Sequence, residues 1–99
     1  MKNWKTHATA HLTVKGVVKD GPMKGDTFAH EYTATLYEMP EDDPFHYGTG
    51  CYMDVEPTDP IFMPYYLDVR YEGTRDIHTL LRRWAEGHWG ENADLIQID

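Results

Sequence analysis

Residues 4–14, Trp4-Lys-Thr-His-Ala-Thr-Ala-His-Leu-Thr-Val14, alternate in polarity along their whole length. The even positions are Trp4, Thr6, Ala8, Ala10, Leu12 and Val14, and the odd ones Lys5, His7, Thr9, His11 and Thr13. A period of two held over eleven residues predicts a β-strand with its even side chains toward a core and its odd ones toward water. Gly16 followed by Val17 and Val18 breaks the alternation, which predicts a bulge or twist ahead of the turn Asp20-Gly-Pro-Met-Lys-Gly-Asp26. Beyond the turn, Phe28, Tyr32, Ala34 and Leu36 face Ala29, Glu31, Thr33 and Thr35 in a second strand that folds back on the first, with His30 on the inward side.

The rest of the chain extends that hairpin. Glu38-Met-Pro-Glu-Asp-Asp-Pro-Phe-His46, with two prolines and four acids, reads as an exposed loop. Tyr47, Thr49, Cys51, Met53 and Val55 then alternate as a third strand, and a proline-marked loop from Pro57 to Pro64 leads to a fourth at Tyr65, Leu67, Val69 and Tyr71. Ile77, Leu80, Leu81 and Trp84 recur at i, i+3, i+4 and i+7, an amphipathic helix expected from Thr74, its cap, to about Trp89, with Gly90 as its stop. Leu95, Ile96 and Ile98 fit a short last strand. The ββββαβ order predicts an α+β domain, an antiparallel sheet of four to five strands with one helix packed on one face, over residues 1–99.

Composition removes several function classes. The chain has 99 residues, 40% hydrophobic and 13% aromatic, which is the make-up of one folded domain and excludes disorder over most of its length. The formal net charge of -8 argues against direct binding to nucleic acid or anionic lipid. The charge is unevenly spread: between Lys24 and Arg70 there is no Lys or Arg, whereas Asp26, Glu31, Glu38, Glu41, Asp42, Asp43, Asp54, Glu56, Asp59 and Asp68 are all acidic. A lone Cys51 can make neither an internal disulfide nor a thiolate cage, which predicts a reducing, cytoplasmic setting. No run approaches a membrane span and the start lacks the apolar stretch of a signal peptide.

No set of residues has the spacing of a catalytic or metal motif. His7 and His11 are about 13 Å apart along a strand, His88 falls on the apolar helix stripe, and His46 sits in the acidic loop, so no metal site or cofactor is expected. Cys51 with His46 and Asp54 names the residue types of a nucleophile, base and orienter, but the opposite parity of Cys51 and His46 directs them to opposite faces. Tyrosines offer more: Tyr52, and one of Tyr65 and Tyr66, must point away from the core, where tyrosines beside acids have the character of a protein-binding patch. The expected partner-binding residues are therefore Glu41, Asp42, Asp43, Tyr52, Asp54, Glu56, Asp59 and Tyr66, and the expected partner a basic protein. Two other readings fit the same sequence: a ligand-binding or catalytic pocket between helix and sheet, lined by His30, Cys51, Tyr71 and Trp84, and a homo-oligomer that pairs sheet faces or edges.

The closing run, Tyr65-Tyr-Leu-Asp-Val-Arg-Tyr-Glu-Gly-Thr-Arg-Asp-Ile77 and then Leu80-Leu-Arg-Arg-Trp-Ala-Glu-Gly-His-Trp-Gly-Glu-Asn-Ala93, resembles the end of short uncharacterised proteins of bacterial phages and conjugative elements. The shared features are an extended Tyr/Arg strand, a short helix ending in Trp and a Trp-Gly stop. The resemblance implies an accessory role in a mobile element, where small acidic proteins sometimes inhibit host nucleic-acid enzymes, and it carries over no catalytic residue.

Overall fold

The computed structural model describes residues 4–99. Five strands, β1 (Lys5–Val18), β2 (Thr27–Glu38), β3 (Cys51–Pro57), β4 (Tyr65–Asp68) and β5 (Ala93–Ile98), and one helix, α1 (Ile77–Trp89), follow one another in the order ββββαβ. All neighbours pair antiparallel in one sheet of order β4-β3-β2-β1-β5, so the fold is α+β. Strands β4 and β5 lie at opposite edges, and the chain between them must cross the sheet. That crossing is α1, which lays its apolar stripe over the apolar sheet face and buries both.

The core is the set of inward positions that the alternation predicts. Leu12 and Val14 of β1, Tyr32, Ala34 and Leu36 of β2, and Cys51, Met53 and Val55 of β3 are buried against Ile77, Leu80, Leu81 and Ala85 of α1. No bulge forms in β1 at Gly16, which keeps unbroken register with β2 there; the β1–β5 register does shift between Lys15 and Gly16, but the extra residue is Ile96 of β5. A Cβ at Gly16 would press on the tip of the Phe28 ring and on the Asp94 carbonyl oxygen, so the glycine gives room for a close approach there.

Several boundaries differ from the sequence expectation. The register of β1 on β2 also shifts between Thr6 and Ala8, with His7 as the extra residue. Beyond that bulge the parity reverses: the Trp4 ring lies tilted against Tyr52, centroids 5.1 Å apart, on the face away from α1 instead of joining the core. Glu38 belongs to β2 and Met39 is buried, so the acidic loop is shorter than its composition suggests. The third strand begins at Cys51, because Gly48 and Gly50 adopt positive φ in a turn, and the fourth ends at Asp68. Thr74 is not the helix cap. Its hydroxyl accepts from the Asp76 amide, and Asp76, the true N-cap, accepts from the Thr79 amide at 3.3 Å and hydroxyl at 2.6 Å. At the other end Gly90 closes α1 with its amide on the Glu86 carbonyl. No helix among the described residues is long and apolar enough to cross a membrane.

Gly87 stands inside α1 with nothing within 4 Å of the position its Cβ would take. Since glycine in a helix interior is about 1 kcal/mol less favourable than alanine, Gly87→Ala is expected to stabilise the protein by about that amount, read as a higher urea midpoint at unchanged slope.

Candidate functional site

The helix covers one face of the sheet, and the other carries the residues that alternation sends outward. Across β2, β3 and β4 they form rows: Tyr37, Tyr52 and Asp68; then Thr35, Asp54 and Tyr66; then Thr33 and Glu56. The strands thus bring Tyr52, Asp54, Glu56 and Tyr66 onto one surface. Tyr66 is 68% exposed, as its parity predicts, whereas its neighbour Tyr65 packs toward the helix.

Tyr52 also points outward, yet it is half-buried and not a free anchor. Trp4 lies on its ring, and the Arg70 guanidinium stands 5.1 Å from its centroid and 5.7 Å from those of Tyr47 and Tyr71. Arg70 grips the Asp68 carboxylate with two nitrogens, at 3.0 and 2.8 Å, and donates to the Phe45 carbonyl at 2.8 Å. The Asp68 carboxyl is held below its ordinary pKa by that hydrogen-bonded grip, and the guanidinium is held protonated by the same pair. Asp54 behaves oppositely. Burial first, and the Glu56 charge second, push its carboxyl above the ordinary range, and no cation lies within ion-pair distance of Asp54, Glu56 or Asp59 among the described residues.

The loop acids divide between the two ends of β3, about 20 Å apart at strand rise. Glu41 and Asp42 are exposed between β2 and β3, and Asp43 forms the turn there by accepting from the Phe45 amide at 2.8 Å. Asp59 lies beyond the other end, accepting from the Ile61 amide at 3.1 Å. Glu41, Asp42 and Asp43 therefore do not share a patch with Asp59. Neither a protein-family model, nor a curated protein, nor a solved structure matches this chain.

One feature escaped the sequence reading. Ile61, Phe62 and Met63 stand out in the loop between Asp59 and β4, with Ile61 78% and Met63 81% exposed. The signal was present: three apolar residues in a row between Pro60 and Pro64 cannot enter the sheet, and so cannot be hidden by it.

The helix-side pocket expected from His30, Cys51, Tyr71 and Trp84 is not assembled. Cys51 is fully buried, its thiol donates to the Thr49 carbonyl at 3.4 Å, and burial pushes its pKa up, away from thiolate chemistry. Tyr71 is exposed beside Arg70. The His46 ring lies against Gly50 in the turn before β3, while Asp54 is on the outer face, so these two and Cys51 make no catalytic arrangement. His30 and Trp84 do belong to one aromatic assembly over the C-terminal half of α1. There Trp89 stacks on His30 at 4.8 Å and Phe28 at 4.9 Å and donates to the Tyr32 hydroxyl at 3.2 Å, and Trp84 stacks on His88 at 5.2 Å. Burial lowers the His88 pKa, which keeps the ring neutral as a packing element, 3.3 Å from the Tyr65 hydroxyl. Among the described residues no three His, Cys, Asp or Glu side chains gather as a metal cage.

Proposed function

We propose that this chain is a non-enzymatic binding protein that meets a basic protein with the outer face of β3 and β4 and the adjoining loop, Glu56, Asp59, Ile61, Met63 and Tyr66. The observation that carries the reading is the exposure of Ile61 and Met63, on either side of a Phe62 that packs edge-on against His30, in the loop that joins Asp59 to the strand carrying the exposed Tyr66, with Asp54, Glu56 and Asp59 outside every ion pair among the described residues. Apolar and aromatic anchors within a charged rim are the composition of a protein interface, and the sign of the rim selects a cationic partner. With the resemblance noted for the closing third, the partner proposed is a host protein and the chain an accessory of a phage or other mobile element. Glu41, Asp42 and Asp43, at the far end of β3, act in this reading as a steering charge and not as contacts.

The partner is isolated by affinity capture and the interaction measured with purified components. The double change Ile61→Asp and Met63→Asp is expected to weaken binding about tenfold or more while leaving the melting temperature in place, because both side chains are solvent-facing. Charge reversal at Glu56 and Asp59 should lower the association rate and flatten its salt dependence more than reversal at Glu41, Asp42 and Asp43. Unchanged affinity in the double variant would remove this face from consideration.

A further inference from the structure

Strand β4 is an edge strand, and the hydrogen-bond alternation fixes which of its backbone groups are free. The Met39 amide bonds to the Gly50 carbonyl, and the Thr49 amide to the Arg70 carbonyl. Along β3 the even residues therefore bond toward β2 and the odd ones toward β4. In β4 it is then Tyr65 and Leu67, opposite Val55 and Met53, that bond back, and the amides and carbonyls of Tyr66 and Asp68 face outward. Beside that edge, on the helix side, lies a groove of about 360 Å³ whose floor and walls are Met53, Leu67, Val69, Leu80 and Trp84, and Gly87 leaves its mouth open. The groove itself holds the paired Glu72 and Arg83, and the unpaired charge near the edge is acidic and belongs to the outer face and its loop. Arg70 is taken up by Asp68 and Arg83 by Glu72, which leaves Asp54, Glu56 and Asp59 without a cation.

We infer that the β4 edge accepts, as a sixth strand, an extended segment of the partner in which basic and apolar residues alternate. This rests on the reading of a basic protein partner and names how it is held. Residues of the added strand opposite Tyr66 and Asp68 exchange backbone hydrogen bonds with them and put their side chains on the outer face, where a Lys or Arg lies over the Tyr66 ring and toward Asp54. The residue opposite Leu67 points to the helix side and places an apolar side chain in the groove, between Trp84 and the open position at Gly87. The alternation of β4 thus dictates the faces, outer, groove, outer, and the unpaired Asp54 and Glu56 select a cation at the outer position beside Tyr66.

The probe is the blocked peptide Gly-Lys-Leu-Lys-Val-Lys-Gly, titrated calorimetrically into the full chain and followed by amide hydrogen exchange. Saturable binding that slows exchange at the Tyr66 and Asp68 amides is expected, with about tenfold weaker binding to Gly87→Leu, whose added side chain occupies the groove mouth. The same peptide with Glu in place of Lys should not bind, and N-methylation of its central amides should abolish binding. Binding without protection of the two amides, unchanged affinity in Gly87→Leu, or no binding up to about 1 mM overturns strand addition. If the peptide fails while the captured partner still loses affinity on Ile61→Asp with Met63→Asp, strand addition falls and the binding face stands. If the peptide binds as expected while that double change leaves the partner's affinity untouched, strand addition stands and the loop's role falls.

Discussion

Gly48→Ala is expected to cost about 3 kcal/mol of folding stability, far more than the ordinary effect of adding one methyl group. Gly48 has φ +54, and a Cβ built there overlaps the carbonyl oxygen and carbon of Arg70. That carbonyl cannot yield. It accepts the Thr49 amide at 2.9 Å, while the Thr49 hydroxyl donates to the Val69 carbonyl at 3.1 Å and the Arg70 guanidinium holds the Phe45 carbonyl. The turn before β3 and the exit of β4 are thus joined at one point, and the methyl group must separate them. Gly21→Ala supplies the control, since Gly21 also has positive φ but nothing lies within 4 Å of its Cβ position, so its cost should be only the conformational 1–2 kcal/mol, roughly. Urea melts of both variants give the comparison. Equal losses would mean that the backbone overlap at Gly48 relaxes without consequence.

What the sequence could and could not reveal follows from the physics of each element. Strands with one wet face announce themselves by parity, so the inward residues Leu12, Val14, Ala34, Leu36, Met53 and Val55 were legible, as was the helix stripe, whereas the extra residue beside Gly16 proved to be Ile96 of β5. The bulge at His7 had no such sign, because neither Thr6, His7 nor Ala8 breaks a strand by its own chemistry, and that single extra residue moved Trp4 to the opposite face and covered Tyr52. The helix start was placed two residues early, at Thr74, because Thr74 and Asp76 are both capping residue types; local hydrogen bonds make Asp76 the cap and leave Thr74 to accept from the Asp76 amide. Parity assigns a residue to a face but says nothing about which strand lies beside which. The convergence of Asp54 and Tyr66, and the free edge of β4, therefore became visible only with the strand order.

Trp84→Ala is expected to destabilise the protein by about 3 kcal/mol, at the lower end of the range for large aromatic truncations because the indole is only partly buried. Three neighbours lose their partner at once: Tyr32, whose ring meets the indole edge-on at 4.9 Å, Tyr65 at 5.3 Å, and His88, stacked at 5.2 Å. Tyr32 and Tyr65 come from β2 and β4, so Trp84 ties the helix to two strands, one of them the edge strand that has few other holds on α1. For a chain of this length the loss corresponds to a fall in melting temperature on the order of 15 °C. Trp84→Phe, which keeps a ring against Tyr32, should cost about 1 kcal/mol, and that ratio separates ring packing from a general loss of volume. The variant also bears on recognition. Removing the indole opens the wall of the β4 groove, so the blocked lysine-leucine peptide should bind Trp84→Ala more weakly even below the temperature at which that variant begins to unfold. A loss under about 1 kcal/mol in Trp84→Ala would mean that the stripe Ile77, Leu80, Leu81 and Ala85 docks the helix without the aromatic assembly, leaving the rings of Tyr32, Tyr65 and His88 to pack among themselves.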